Sequence, residues 1–309
     1  MKQTFWCIVF LGFMTNPTAA IASGSPSSPP RHTLASASGL SVRLSLVGRL
    51  TGSGNTLFTT SIDVTNSTST ATQVDFYLDG KDIATQNSVV LDGSIDSSGA
   101  PVAQGVGTMR GRQNAHFDDF VDSLVKANLL PSSIESDGFV GSVLFVFNGF
   151  SKRGQGTATA RFSNAFGGGT IGVSLKGHDV TTSEPMKLVA AVRDTRGGAG
   201  PKLYPNVFIN NSGLTPTGTA GDTIAVQITA YANSTGQAVG TPVTIQNIGP
   251  GQTATLGSAL TALGVPASEN TILLYATVVS GTSAIEGLVS QVDDVTKDGS
   301  AFEMSRADF

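Results

Sequence analysis

Cysteine and tryptophan are nearly missing from this chain of 309 residues, which holds one of each, Cys7 and Trp6. Beyond them no thiol remains, so the rest of the chain has no disulfide, zinc–thiolate site or cysteine nucleophile. The lack of tryptophan removes a ring well suited to stacking on sugars and leaves Tyr77, Tyr204, Tyr231 and Tyr275 as the tyrosines for that role. Charge is also scarce: charged residues make up 13% of the chain and the formal net charge is -4, against about 25% charged residues in ordinary globular domains. Nucleic acid and anionic membranes call for concentrated positive charge, so neither is an expected partner.

Long apolar runs are missing as well. The run from Phe5 to Met14 is roughly half the twenty or so residues needed to cross a bilayer. Lys2 precedes it, and Pro17 and the small residues Thr18 to Ala22 follow. That order predicts a cleaved secretory signal peptide over residues 1–22 and no transmembrane anchor afterwards. The expected destination is secreted, periplasmic or cell-surface. Residues 23–40, rich in Ser and Pro, have too little apolar content to fold and are expected to be a spacer.

Small residues stand where the charges are missing, with 37 glycines among them. Val42, Leu44 and Leu46 alternate with Arg43 and Ser45. Ile62 and Val64 do the same with Ser61, Asp63 and Thr65, as do Val74, Phe76 and Leu78 with Asp75 and Tyr77. Period-two alternation predicts half-buried strands of antiparallel sheets.

The pattern then recurs in the second half of the chain. Leu44 to Phe58 and Leu188 to Tyr204 both read strand, Arg and Thr two apart, glycine-rich turn, Leu-aromatic. Ile62 to Ser67 answers to Val207 to Ser212, both closing on Asn-Ser, and Val74 to Leu78 answers to Ile224 to Ile228. Each copy carries one short helix pattern: Phe117, Phe120, Val121, Leu124 and Val125 in the first, Leu256, Ala259, Leu260 and Leu263 in the second. Pro131 and Pro266 follow, and then strong apolar strands at Val143 to Phe147 and Ile272 to Val279. The expected fold is all-β, with two tandem β-sandwich domains over 41–183 and 184–309, each with one short helix. The first is expected to carry a loop insertion at 89–116.

This order of strand, Asn-Ser turn, alternating strand, short helix with proline and strong hairpin resembles a loosely defined group of secreted bacterial β-sandwich modules of Ig-like build. The resemblance implies architecture and carries over no catalytic residue.

His32, His116 and His178 lack an accompanying G-x-S-x-G elbow. Ser123 and Lys126 have S-x-x-K spacing without its companion motifs, and read as exposed positions of a helix. Asp293, Asp294 and Asp298 form an oxygen-rich run that suits calcium in composition but not in EF-hand spacing. Asp118 and Asp119 read as helix-capping residues, and Gly167 to Gly169 as a hairpin turn. Candidate interaction residues are Asp92, Asp96, Arg110 and Arg112 in the insertion, and Lys152 and Arg153 at a hairpin tip. The sequence therefore predicts a secreted, non-catalytic structural or interaction protein, with no cofactor and with a protein or polysaccharide at the cell surface as partner. An exported hydrolase and an outer-membrane β-barrel are the alternatives.

Overall fold

A computed structural model of the chain describes residues 39–51, 57–166, 169–179, 185–197, 202–217, 219–267, 271–293 and 299–307. The expected signal peptide, most of the spacer, Asp294 and Asp298 lie outside them.

Among the described residues the protein is all-β apart from three short helices. In the N-terminal half the alternating runs form β1 (Gly39–Thr51), β2 (Leu57–Asn66), β3 (Val74–Asp82) and β4 (Ser88–Ile95). Along β2, Phe58, Ile62 and Val64 are buried while Ser61, Asp63 and Thr65 lie on the wetter face. After β5 (Pro101–Ala103) and β6 (Gln113–Phe117) come α1 (Phe120–Lys126) and α2 (Ser133–Asp137), then β7 (Phe139–Asn148), β8 (Gly156–Phe166), β9 (Gly169–Lys176) and β10 (His178–Asp179). The C-terminal half contains β11 (Lys187–Arg193), β12 (Leu203–Asn211), β13 (Ile224–Ala232), β14 (Ala238–Ile248), β15 (Thr253–Leu256), α3 (Ala259–Ala262), β16 (Thr271–Ser280), β17 (Ile285–Asp293), β18 (Gly299–Glu303) and β19 (Ser305–Arg306).

Three local expectations need correction. The 89–116 stretch is not mainly loop: it holds most of β4, all of β5 and most of β6, because Ile95, Met109 and Ala115 bury against the core. Both helices start later than helical spacing suggests, since Phe117 pairs with Ile62 and Leu256 with Val207, and sheet bonding claims both residues. The N-terminal half has a second helix, α2, in which Ile134 alone is buried; one turn is too short to leave a periodic signal. Asp119 caps α1 by accepting from the Asp122 amide at 3.1 Å and pairs with Arg49. Burial nevertheless pushes its carboxyl up from the usual range.

Within the N-terminal half, β1 serves two layers. Residues Gly39 to Arg49 pair with β7, and Arg49 to Thr51 turn onto β2. A register shift between Leu44 and Val47 marks the bulge where the strand bends. One layer is ordered β4-β3-β7-β1-β10 and the other β6-β2-β8-β9, with β5 added outside β4. Leu44, Phe76, Phe145 and Phe147 of the first layer share a core with Ile62, Val64, Ala158 and Phe162 of the second. The C-terminal half follows the orders β14-β13-β16-β11-β19 and β15-β12-β17-β18. Its core is aliphatic, built around Leu188, Val207, Ile209, Val226, Ile272, Leu274 and Val289.

The outer face of the β3-β7-β1 layer packs on the outer face of the β15-β12-β17 layer. Phe208 and Leu288 point away from their own core and join that of the N-terminal half. Arg43 donates through Nη1 to the Ser212 carbonyl at 2.8 Å and lies 3.4 Å from both Asn210 Oδ1 and Glu286 Oε1. Ser45 Oγ donates to Glu286 Oε2 at 2.7 Å, and Thr253 Oγ1 to the Ser45 carbonyl at 2.8 Å. The Arg43 and Glu286 side chains are 4% and 6% exposed, so this polar network holds the two halves together out of water.

Candidate functional site

Asn66 ends β2 and is fully buried. Its Oδ1 accepts from the Thr68 amide and hydroxyl at 3.0 and 2.9 Å, an Asx turn. Its Nδ2 donates to the carbonyls of Thr70 and Arg110 at 2.8 and 2.9 Å. The Arg112 amide bonds the Thr68 carbonyl at 2.7 Å and the Ser67 amide bonds the Gln155 carbonyl at 2.9 Å. Gln155 Oε1 in turn accepts from the amides of Ser151 and Lys152. A Cβ on Gly111 would sit 2.3 Å from the Ser69 carbonyl oxygen, so the segments meet with no room for a side chain there.

Two segments remote in sequence, 110–112 and 151–155, thus converge on residues 66–70. They bring Arg110, Arg112, Lys152 and Arg153, all exposed, to one end of the N-terminal half. Asp96 belongs to a neighbouring turn tied in by Gln113 Nε2, which donates to the Ser97 carbonyl at 3.2 Å. The Asp96 carboxylate accepts from Ser98 Oγ at 2.6 Å and from the amides of Ser98 and Ala100. The Ser98 bond leads in holding its pKa below the usual carboxylate range. Asp92 is elsewhere, on β4 opposite Tyr77. Of the six candidate interaction residues, four cluster and one adjoins them.

The C-terminal half uses the same device at the end of β12. Asn211 is fully buried, donates through Nδ2 to the carbonyls of Asp222 and Ile248 at 2.8 Å each, and accepts from the Gly213 amide at 2.9 Å. Gln252 Oε1 accepts from the Gly249 amide as Gln113 Oε1 does from the Arg110 amide, three residues upstream in both cases. The loops it organises, 212–217, 219–223, 249–252 and 281–284, contain no Lys or Arg.

A comparison with protein-family models finds none that matches, and no curated protein matches the chain.

The remaining candidates have separate surroundings. His116 stands on the outer face of β6, with Nδ1 2.9 Å from Asp63 Oδ1 and Nε2 3.1 Å from Asp118 Oδ1. Asn114 Nδ2 also donates to Asp63 at 2.7 Å. The bonds to Asp63 and then Asp118 raise the imidazole pKa above its usual value. Burial works against ionisation of Asp63, but Asn114 and His116 outweigh it and its pKa falls. With a carboxylate at each nitrogen, the ring directs neither at a hydroxyl. Ser123 Oγ donates to the Asp119 carbonyl at 2.8 Å and Lys126 pairs with Asp122 at 2.7 Å, so each side of the S-x-x-K spacing bonds within its own helix turn. Asp293 ends β17, while its proposed calcium companions Asp294 and Asp298 lie outside the described residues.

Tyr231 and Tyr275 meet edge to face at 5.3 Å, and Lys187 Nζ lies 5.0 Å from the Tyr275 ring centre. A cleft of about 200 Å³ opens between β1 and β9 on one side and β17 and β18 on the other, with Leu46, Leu175, Leu288, Lys176 and Glu303 in its lining. That is below the ~300 Å³ at which small-molecule pockets usually begin. Sequence reasoning passed over Arg43 and Glu286. Arg43 lies at a polar position of an alternating strand, and nothing local signals that a second sheet covers that face.

Proposed function

We propose that the protein is an exported, non-catalytic structural or interaction protein. Its two β-sandwich domains, of Ig-like build and arranged in tandem over 41–183 and 184–309, follow a signal peptide and a spacer. The observation that carries this reading is the combination of a common pairing order, β4-β3-β7-β1 and β14-β13-β16-β11, with a common buried Asn device. Duplication of one unit accounts for both, and in such a pair function resides in what the copies do not share. The apolar interiors of both halves favour this reading over an outer-membrane barrel, which turns its apolar band outward. The surroundings of His116 favour it over a hydrolase.

Mass spectrometry of the protein recovered from the native cell exterior tests the export half of the proposal. A new N-terminus within a few residues of Ser23 is expected, and intact Met1 in the exported product rejects it. A fragment beginning near Glu184 tests the tandem half. It is expected to melt cooperatively by itself, because the aliphatic core lies wholly within that half. Absence of a transition in the fragment, beside one in the full chain, rejects the division.

A further inference from the structure

The basic end of the N-terminal half is set apart on several counts. The two segments that carry its four cations are tied to residues 66–70, by Asn66 Nδ2 donating to the Arg110 carbonyl, the Arg112 amide to the Thr68 carbonyl and the Ser67 amide to the Gln155 carbonyl, so the fold itself brings those segments together. The loops that form this end, 67–73, 96–100, 104–112 and 149–155, contain one carboxylate, Asp96. That carboxylate already accepts from Ser98 and Ala100. A positive end therefore projects from a chain whose formal net charge is -4. The matching loops of the C-terminal half hang on Asn211 in the same way and carry no cation. The device folds without the charge, so folding does not account for it.

We infer that this end, through Arg110, Arg112, Lys152 and Arg153, binds a carboxylate-bearing polysaccharide. This rests on reading the protein as an exported interaction module. Three of the four cations are arginines, whose planar forks match a carboxylate with two parallel hydrogen bonds. The same loops expose the hydroxyl residues Ser67, Ser69, Thr70 and Ser151, as suits a hydroxylated chain. An anionic bilayer fits less well: the large apolar side chain exposed in these loops is Val106, 74% exposed, and one valine is a poor anchor. Duplex nucleic acid offers phosphates at a density that four cations meet only in small part, and the acidic remainder of the chain repels it. A second copy of the chain fits less well because the acidic end near α1 is internally paired, Asp118 with His116, Asp119 with Arg49 and Asp122 with Lys126.

The test uses the full chain and immobilised polygalacturonate at about 50 mM salt, where surface electrostatics are weakly screened. Neutral dextran, anionic phospholipid vesicles and a DNA duplex serve as comparison probes. Two double variants are made, Arg110→Gln with Arg112→Asn and Lys152→Gln with Arg153→Gln; asparagine is chosen because Arg112 has φ 56°. Binding of the parent protein is expected to weaken with added salt, and each double variant to lose about fivefold in affinity with unchanged melting. Combining all four substitutions should abolish binding. The inference is overturned by absence of parent binding at low salt or by variants that bind like the parent. Tighter binding to vesicles, to DNA or to the protein itself overturns it as well. Any of these results leaves the exported-module reading standing, since that reading fails on the N-terminus and the fragment instead.

Discussion

The two halves of the molecule reach one pairing order with different interiors. In the N-terminal half, Phe120 on α1 meets Phe76, Phe117 and Phe145 with ring centres 5.7, 5.2 and 6.1 Å apart, all edge-to-face. In the C-terminal half the equivalent helix buries Ala259 and Leu260 against Val, Ile and Leu, and the aromatics Tyr231 and Tyr275 meet each other outside that core. Cores tolerate such exchange when volume and patterning are kept. What stays constant is the hydrogen-bonded frame: the strand order, and a buried asparagine closing β2 and β12. What changes is the charge hung on that frame, with four cations at one loop end and none at the other. The frame specifies the fold, and the loops are free to diverge.

The strongest challenge to this division is at the contact between the halves. Replacing Arg43 with Met leaves Glu286 buried without its cation, and replacing Glu286 with Leu does the converse. Each is expected to cost about 3–5 kcal/mol, the usual penalty for an uncompensated buried charge. The double replacement should recover most of it. Urea unfolding of the three variants measures this. Single variants as stable as the parent would show that the ion pair, with Arg43 Nη1 3.4 Å from Glu286 Oε1, does not couple the halves.

Asn66→Ala and Asn211→Ala compare the shared device directly. Each removes two side-chain hydrogen bonds to loop carbonyls and one Asx turn from a fully buried position, and each is expected to cost about 2–3 kcal/mol. Near-equal losses by chemical denaturation would support a common role, whereas a cost in one half alone would make the resemblance superficial. Gly251 and Gly154 give a smaller contrast. Both have positive φ, 77° and 81°, but a Cβ on Gly251 would lie 2.5 Å from Asp79 across the contact, while one on Gly154 meets nothing within 4 Å. Alanine at 154 should cost about 1 kcal/mol for the backbone alone, and at 251 roughly 2 kcal/mol or more. Thermal melts that rank the two the other way would mean that the 249–252 loop does not press on β3.

The strands were legible because alternation and burial coincide: Ile62, Val64, Val74, Phe76 and Leu78 are all buried where period two put them. Helix starts were less legible, since Phe117 fits the spacing of a helix and also the pairing of a strand, and only the neighbouring β2 decides between them. The basic residues could be named from the sequence but not gathered. Arg110 and Lys152 come together through the Asn66 side chain and the backbone of its loop, and a pairing of that range leaves no local pattern. Arg43 was least legible, because its burial depends on a sheet contributed by the other end of the chain.

His116 supplies the finest test of the contrast, with the smallest effect. It faces Asp63 across β2 and β6, where the matching pair in the C-terminal half is Phe208 opposite Thr255, so any titration of this pair belongs to the N-terminal half alone. The imidazole pKa is raised from its ordinary 6.5 by Asp63 and Asp118. A raised pKa means the folded state holds the proton more tightly, so the stabilisation is fully present below about pH 6.5 and is lost as pH rises through the folded value. The Asp63 carboxyl is shifted the other way, below 3.8, and its contribution is lost only in acid, as pH falls through its folded value. Both side chains are about half exposed, 51% and 44%, so solvent screening limits the effect to roughly a few tenths of a kcal/mol. The comparison is the urea midpoint of the parent and of His116→Gln at acidic and alkaline pH. The parent should lose a small increment of stability between pH 6 and 8 that the variant does not. Parallel pH profiles, or a parent that gains relative to the variant as pH rises, would mean that this exposed cluster adds nothing to the frame the two halves share.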